Sequence, residues 1–194
     1  MRDSFNCLSL IGGFAVILSS CDSKVSSGPE NIESTPDKLF ELVSNSDHHI
    51  SFRNDINENL GTNYMIYDGI YQGAGLAIGD LNNDGLDDIF FCGNQATNQL
   101  YINKGGLEFK NITNSAGILQ DDGWSSGATM VDVDGNGFKD IYVCQFIWDQ
   151  PERRKNLLYL NQGDLTFIES GEAWGVSDPG YSVQSAFLDF DKDG

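Results

Sequence analysis

The sequence predicts an all-β fold built from repeated four-stranded sheets, and three observations carry that prediction. The 194-residue chain repeats itself, with acidic loops recurring at intervals of 52 and 57 residues. Repeats of this length belong to propellers or solenoids. Apolar residues come in short alternating runs, and no segment keeps a helical period over about 11 residues. Gly is abundant at 22 residues and Pro scarce at four, a balance that gives many tight turns without rigid linkers. Hydrophobic residues at 40% supply a packed core and exclude wholesale disorder.

The repeats are visible by laying the chain on itself. GAGLAIGDLNNDGLDDIFFCGN, from Gly73, aligns with SGATMVDVDGNGFKDIYVCQF, from Ser126, and with SVQSAFLDFDKDG, from Ser182. The segment NQLYINKGGLEFKNITNSAGI, from Asn98, aligns with NLLYLNQGDLTFIESGEAWGV, from Asn156. The pairs Tyr101/Tyr159, Asn103/Asn161, Phe109/Phe167 and Gly117/Gly175 all stand 58 apart. The repeats run over about 73–118, 126–176 and 182–194, the third one truncated.

Taken in order, the elements begin with Leu39 to Val43, an alternating run expected to form an isolated outer strand. Such a strand from a terminus often completes the last blade of a propeller and hides an edge. Gly75 to Gly79 is the first strand of the first repeat, with Leu76 and Ile78 alternating. An Asp-rich loop follows as the hairpin connection. Ile89 to Cys92, β-branched and aromatic, is the second strand. Leu100 to Asn103 is the third. Lys104, Gly105 and Gly106 make a turn whose glycines accept positive φ, and Leu107 to Ile112 is the fourth strand. Four short antiparallel strands per repeat compose a propeller blade. The expected fold is a partial β-propeller of about two and a half blades plus the N-terminal outer strand, over residues 37–194.

The acids are placed, not scattered. Asp80, Asn82, Asp84 and Asp88 stand at loop positions 1, 3, 5 and 9, with the Leu86 carbonyl at position 7. Asp132, Asp134, Asn136 and Asp140 repeat this, with Phe138 at position 7. Alternate spacing aims the oxygens at one centre, and Gly at position 6 permits the sharp turn. Hard oxygen donors in this number suit Ca²⁺ rather than Mg²⁺, and the absence of Cys and His from the loops excludes soft metals. An EF-hand is excluded. Its bidentate Glu at position 12 is replaced by Phe91 and Val143, and strands flank the loops where helices are required. Emptied of a cation, each loop holds three mutually repelling carboxylates, so calcium is expected to be structural. A solvated acidic turn is the competing reading of one loop, and recurrence weakens it.

Charge limits the partners. Against 29 Asp and Glu stand 11 Lys and Arg, for a net charge of -18. This argues against nucleic acid and against adsorption to anionic lipid heads. Of four Cys, Cys92 and Cys144 occupy equivalent places in successive repeats. Equivalent places in neighbouring blades are usually too far apart for a disulfide, so two free, buried strand cysteines are expected, with a disulfide or metal pair as the alternative.

The N-terminus reads as an address. Cys7 to Leu18 is an apolar run of 12 residues, too short to span a bilayer and suited to a signal peptide over residues 1–20. Leu18-Ser19-Ser20-Cys21 resembles a bacterial lipobox, which implies cleavage before Cys21 and acylation of its thiol. The n-region departs from the pattern, because Asp3 follows Arg2. An ordinary signal peptide with a chance Cys is the competing reading. Residues 21–36, rich in Ser, Pro and Glu, form a flexible tether. Two or three acyl chains on Cys21 would hold the chain to a lipid membrane. The expected location is the bacterial cell envelope, as an exported outer-membrane lipoprotein.

These phrases resemble the FG-GAP/VCBS repeat family, which shares its propeller with the integrin α head. The linking segments are similar to the branch of ASPIC/UnbV and cartilage-acidic-protein type. The resemblance covers roughly Asp37 to Gly194. It implies a propeller of about seven blades with calcium in the hairpin loops. It implies ligation of one ion by Asp80, Asn82, Asp84, Leu86 and Asp88, and of a second by Asp132, Asp134, Asn136, Phe138 and Asp140. Asp189, Asp191 and Asp193 would begin a third site. The chain stops inside that motif, so it reads as a fragment of a longer protein.

The function expected is a non-catalytic surface module that binds an extracellular protein or glycan through rigidly held loops. The alternatives are a propeller enzyme, hydrolase or lyase, with its active site beyond Gly194, and a purely structural array. Adjacent His48 and His49 lack a nucleophile motif and are expected to cap the N-terminal strand. Trp124 and Trp174 are expected to pack between blades. Trp148 lies in an insertion with Arg153, Arg154 and Lys155, a basic patch that is either a partner contact or a solvated loop.

Overall fold

The computed structural model describes residues 40–118, 123–147 and 151–191. Every element that follows lies in one compact unit, Leu42–Gly194. The signal segment, the tether, Cys21, Trp148 and Asp193 lie outside the described residues.

Among the described residues, eight strands form two four-stranded antiparallel sheets, each in chain order. Sheet one comprises β1 (Leu76–Gly79), β2 (Asp88–Phe91), β3 (Gln99–Asn103) and β4 (Phe109–Asn111). Sheet two comprises β5 (Ser125–Val131), β6 (Asp140–Gln145), β7 (Leu157–Asn161) and β8 (Phe167–Glu169). Each is the meander of a propeller blade, so the all-β, partial-propeller expectation holds. Gly79 pairs with Asp88 and Val131 with Asp140, which leaves each acidic loop as the hairpin connection of its first two strands.

The two sheets share one core. Leu81, Phe90, Leu100 and Ile102 of the first pack in a cluster with Ile141, Val143, Tyr159 and Phe167 of the second. Burial of side chains of this size contributes roughly 1.5–3 kcal/mol each. The inner strands approach too closely for side chains. Gly75 N–H donates to Ser126 O at 2.8 Å, and a Cβ on Gly75 would lie 2.8 Å from Gly127 Cα. That approach sets the register of β1, so small Ala77 and Gly79 face inward while Leu76 and Ile78 stand exposed. Cys92 and Cys144 are buried and form no disulfide, as expected.

The third repeat enters as the second does. Ser182 N–H donates to Gln145 O at 3.3 Å, the counterpart of Ser125 N–H to Gly93 O at 3.0 Å. Residues 182–191 form no strand among the described residues.

Several local expectations are corrected. Residues 40–44 form no strand, Phe40 and Leu42 stand 87% and 97% exposed, and a four-residue helical turn, Asn45–His48, follows. The segment that covers sheet one is instead 48–57. Phe52 stacks on Phe91 at 4.9 Å, and Ser51 N–H donates to the Tyr101 hydroxyl at 3.3 Å. His48 and His49 cap no strand. His48 Nδ1 lies 2.6 Å from Leu107 O, and His49 Nδ1 lies 4.0 Å from Glu108 Oε1. Leu107 belongs to the turn before β4, with φ at 61°. Trp124 is buried beside Tyr67 and Ile147, but Trp174 is 46% exposed and lines an open cleft with Val133, Tyr142 and Phe187. The basic patch is not uniform. Arg154 is buried, donates to Ile147 O and Pro179 O, and stacks 4.1 Å from the Tyr181 ring centroid.

Candidate functional site

The two acidic loops are built alike, and the backbone builds them. Position 1 receives the loop's own amides. Asp80 Oδ1 accepts the N–H of Asn82 and Asp84, and its Oδ2 accepts Gly85 N–H at 2.8 Å. Asp132 accepts Asn136 N–H at 3.1 Å and Gly137 N–H at 2.9 Å. Position 5 closes the turn onto position 7. Asp84 accepts Leu86 N–H at 2.9 Å and Asn136 accepts Phe138 N–H at 2.8 Å. Position 6 is left-handed in both, Gly85 at φ 84° and Gly137 at 89°. Position 4 is left-handed too, and takes Asn83 in one loop and Gly135 in the other. Both types tolerate that conformation.

Position 9 anchors each loop to the sheet. Asp88 opens β2 fully buried and accepts Leu81 N–H at 3.0 Å and Asn103 N–H at 2.9 Å. Asp140 opens β6 in the same way, accepting Val133 N–H and Asn161 N–H, both at 2.8 Å. Asn103 and Asn161 end the third strands. The sequence aligns them as a repeated pair at a strand end, without a role at the loops. Their recurrence two residues after Tyr101 and Tyr159, at the end of the third strand of each repeat, was the available signal.

The electrostatics divide the acids. Burial works against ionisation of Asp80, but the N–H groups of Gly85, Asn82, Asp84 and Asn83 outweigh it and hold the carboxyl below its ordinary pKa. Asp88 and Asp140 are raised. Burial is the largest cause, opposed by their two backbone N–H donors and reinforced by the neighbouring carboxylates, Asp84 and Asp80 for one and Asp134 and Asp132 for the other. A nearby cation offsets both burial and repulsion by favouring the ionised form.

Oxygens bound to one calcium at 2.3–2.6 Å lie no more than about 5 Å apart. Asp132, Asp134 and Asp140 place carboxylate oxygens within 4.8 Å of one another, so loop two fits a metal ion. It is the one group of three such residues among those described. Loop one brings the same backbone geometry without that closure. Asp189 and Asp191 are exposed on the third repeat.

The loops touch each other. Asn83 Nδ2 donates to Gly137 O at 2.9 Å, and Asn161 Nδ2 donates to Leu81 O at 2.8 Å. The second bond is buried between the sheets.

Comparison with known families places one match on this region. Residues 80–143 match the model of the FG-GAP-like repeat. The matched span opens on the first acid of loop one and takes in all of loop two.

Proposed function

We propose that this chain is a calcium-stabilised β-propeller segment that serves as a non-catalytic binding surface for an extracellular protein or glycan, held to the bacterial envelope through an acylated Cys21. The observation that carries the calcium reading is the convergence of Asp132, Asp134 and Asp140 within 4.8 Å on a loop of the FG-GAP-like repeat. Asp132 and Asp140 would hold the ion while still accepting backbone N–H bonds, with Asp134 as third carboxylate. Calcium would supply charge neutralisation there. In loop one Asp80, Asn82, Asp84, Asp88 and the Leu86 carbonyl would do the same.

A scaffold role agrees with where the acid oxygens point. They serve the loops' own amides and the end of the third strand, as in a structural site. FG-GAP-like repeats are typically binding or structural modules, which supports the non-catalytic reading. The binding reading draws support from the end of the blades opposite the loops. Tyr67 packs edge-on to Trp124 at 5.8 Å, and around it Tyr64, Tyr71 and Tyr181 expose more than half of their surface. Exposed tyrosines suit sugar faces and protein anchors alike. The lipid anchor rests on the Leu18-Ser19-Ser20-Cys21 motif.

The test is a glycan array probed with the purified protein with and without calcium. Calcium-dependent retention of a defined glycan class, lost on Tyr64→Ala with Tyr71→Ala, supports glycan as the partner. Retention of no glycan, with turnover of a polysaccharide or peptide pool, would overturn the binding-module reading.

A further inference from the structure

We propose that the two calcium loops are energetically coupled, and that Asn161 is the positioning residue that couples them. This rests on the calcium reading above. Asn161 ends β7, and each of its polar groups has a separate task. Its backbone N–H donates to Asp140 Oδ1 at 2.8 Å, in loop two. Its Nδ2 donates to Lys139 O, the residue before Asp140, at 3.1 Å. The same Nδ2 crosses the sheet boundary to Leu81 O, in loop one, at 2.8 Å. Leu81 N–H in turn donates to Asp88 Oδ2 at 3.0 Å. A run of hydrogen bonds thus joins the two position-9 carboxylates, Asp140 and Asp88, through one asparagine and the backbone of Leu81, whose N–H and C=O flank its Cα.

Asn103 is the internal control. It makes the intra-blade bonds of its counterpart, N–H to Asp88 and Nδ2 to Asp87 O at 3.1 Å, and no bond to another loop is recorded for it among the described residues. Asn161 has the added bond because another loop stands in front of its blade. A second, exposed tie runs in parallel from Asn83 Nδ2, at position 4 of loop one, to Gly137 O, at position 6 of loop two.

Physical coupling needs an element with two states that both sites bias. The loops are such elements. Without a cation, three repelling carboxylates favour fraying, and a bound ion favours the ordered turn. Ordering loop two fixes Asp140, and with it Asn161. The Asn161 amide then holds the Leu81 carbonyl, and through the backbone of Leu81 restrains the N–H that Asp88 accepts. Calcium in loop two therefore meets part of the ordering cost of loop one. By linkage the reverse effect has the same size. Adjacent loops would fill cooperatively, so a drop in calcium would loosen neighbouring blades together.

The experiment is hydrogen exchange by mass spectrometry on the full chain across a CaCl₂ titration, read on peptides covering each loop separately. Asp132→Ala with Asp134→Ala disables loop two. The expected result is a calcium midpoint for loop one raised about fivefold or more. Disabling loop one with Asp80→Ala and Asp84→Ala should raise the loop-two midpoint by the same factor. Asn161→Ala keeps the N–H to Asp140 but removes both Nδ2 bonds and the Gly163 N–H bond to Oδ1, and should shrink the response to under about twofold. Asn83→Gly suits the left-handed backbone and should reduce the response in part. It carries the test if Asn161→Ala does not fold. A loop-one midpoint indifferent to loop two, with both loops responding to calcium, overturns the coupling and leaves the calcium reading standing. An undiminished response in the asparagine variants overturns the assigned route. Loops that ignore CaCl₂ up to about 10 mM, above the range of extracellular modules, overturn the reading and the coupling together.

Discussion

Loop one and loop two share most backbone hydrogen bonds to positions 1, 5 and 9, with an added Asn82 N–H to Asp80 in loop one, yet loop two alone, among the described residues, draws three carboxylates within 4.8 Å. The difference lies in where the amide sits. Loop one has Asn82 at position 3 and Asp84 at position 5, and loop two has Asp134 and Asn136. Position 5 is a turn former in both, its Oδ1 taken by the position-7 N–H. A carboxylate there has one oxygen already committed, and Asp84 Oδ2 accepts the Asn82 amide at 2.9 Å. An asparagine there moves the carboxylate to position 3, and its own amide donates both to Asp134 Oδ2 at 3.2 Å and to Asn161 O at 3.0 Å. Two loops with equal acid counts are therefore not equal sites.

The sharpest way to break this comparison is at position 9. Asp140→Ala leaves two N–H groups, of Val133 and Asn161, without acceptors in a buried setting. A loss of about 3–5 kcal/mol is expected in denaturant melts run without calcium. Asp132→Ala, whose donors can turn to water, should cost about 1 kcal/mol under the same conditions. Equal losses would show that position 9 is a ligand and not also an anchor.

A second break uses pH. Asp88 and Asp140 carry raised carboxyl pKa values because they are buried. In the calcium-free protein, a raised folded-state value adds stability that is fully present below the unfolded Asp value of about 3.9 and is lost as pH rises through the raised value. Calcium needs the ionised form, so its effect runs the other way. The gain in Tm on adding CaCl₂ should shrink as pH falls from about 7 toward about 4, while the calcium-free Tm gains from these two groups. A calcium gain independent of pH over that window would contradict their role.

The smallest effect expected sharpens the comparison. Asn82→Asp gives loop one the position-3 carboxylate of loop two. Its calcium affinity should rise by about tenfold, or about 1.4 kcal/mol, read by calorimetric titration. The calcium-free loop should exchange its amides faster, because a fourth carboxylate adds repulsion and the Asn82 amide bond to Asp84 is lost.

Much of this was legible in the sequence, for physical reasons. Period-2 runs and Gly-rich turns act locally, so β1 to β8 lie near their expected places. The loops were legible because position 6 requires a left-handed residue and the acids repeat around it. What escaped depends on distant partners. The run around Leu42 alternates like a strand, but pairing needs a free edge, and side-chain contacts of Phe52 and Ser51 cover sheet one instead. Asn103 and Asn161 look like turn residues until the fold sets them against Asp88 and Asp140. Arg154 looked like surface charge until Ile147 O, Pro179 O and Tyr181 surrounded it. The exposed Trp174 faces a cleft whose Tyr142 wall is the counterpart of fully buried Phe90.

The central claim is that calcium holds these hairpins in place, and a thermal melt with and without excess chelator tests it most directly. A loop filled at a hundredfold excess over its Kd adds about 2.7 kcal/mol, which for a chain of this size moves Tm by several degrees. Chelator should therefore lower the midpoint by at least that much, and CaCl₂ should restore it. A midpoint that does not move on chelation would contradict the account.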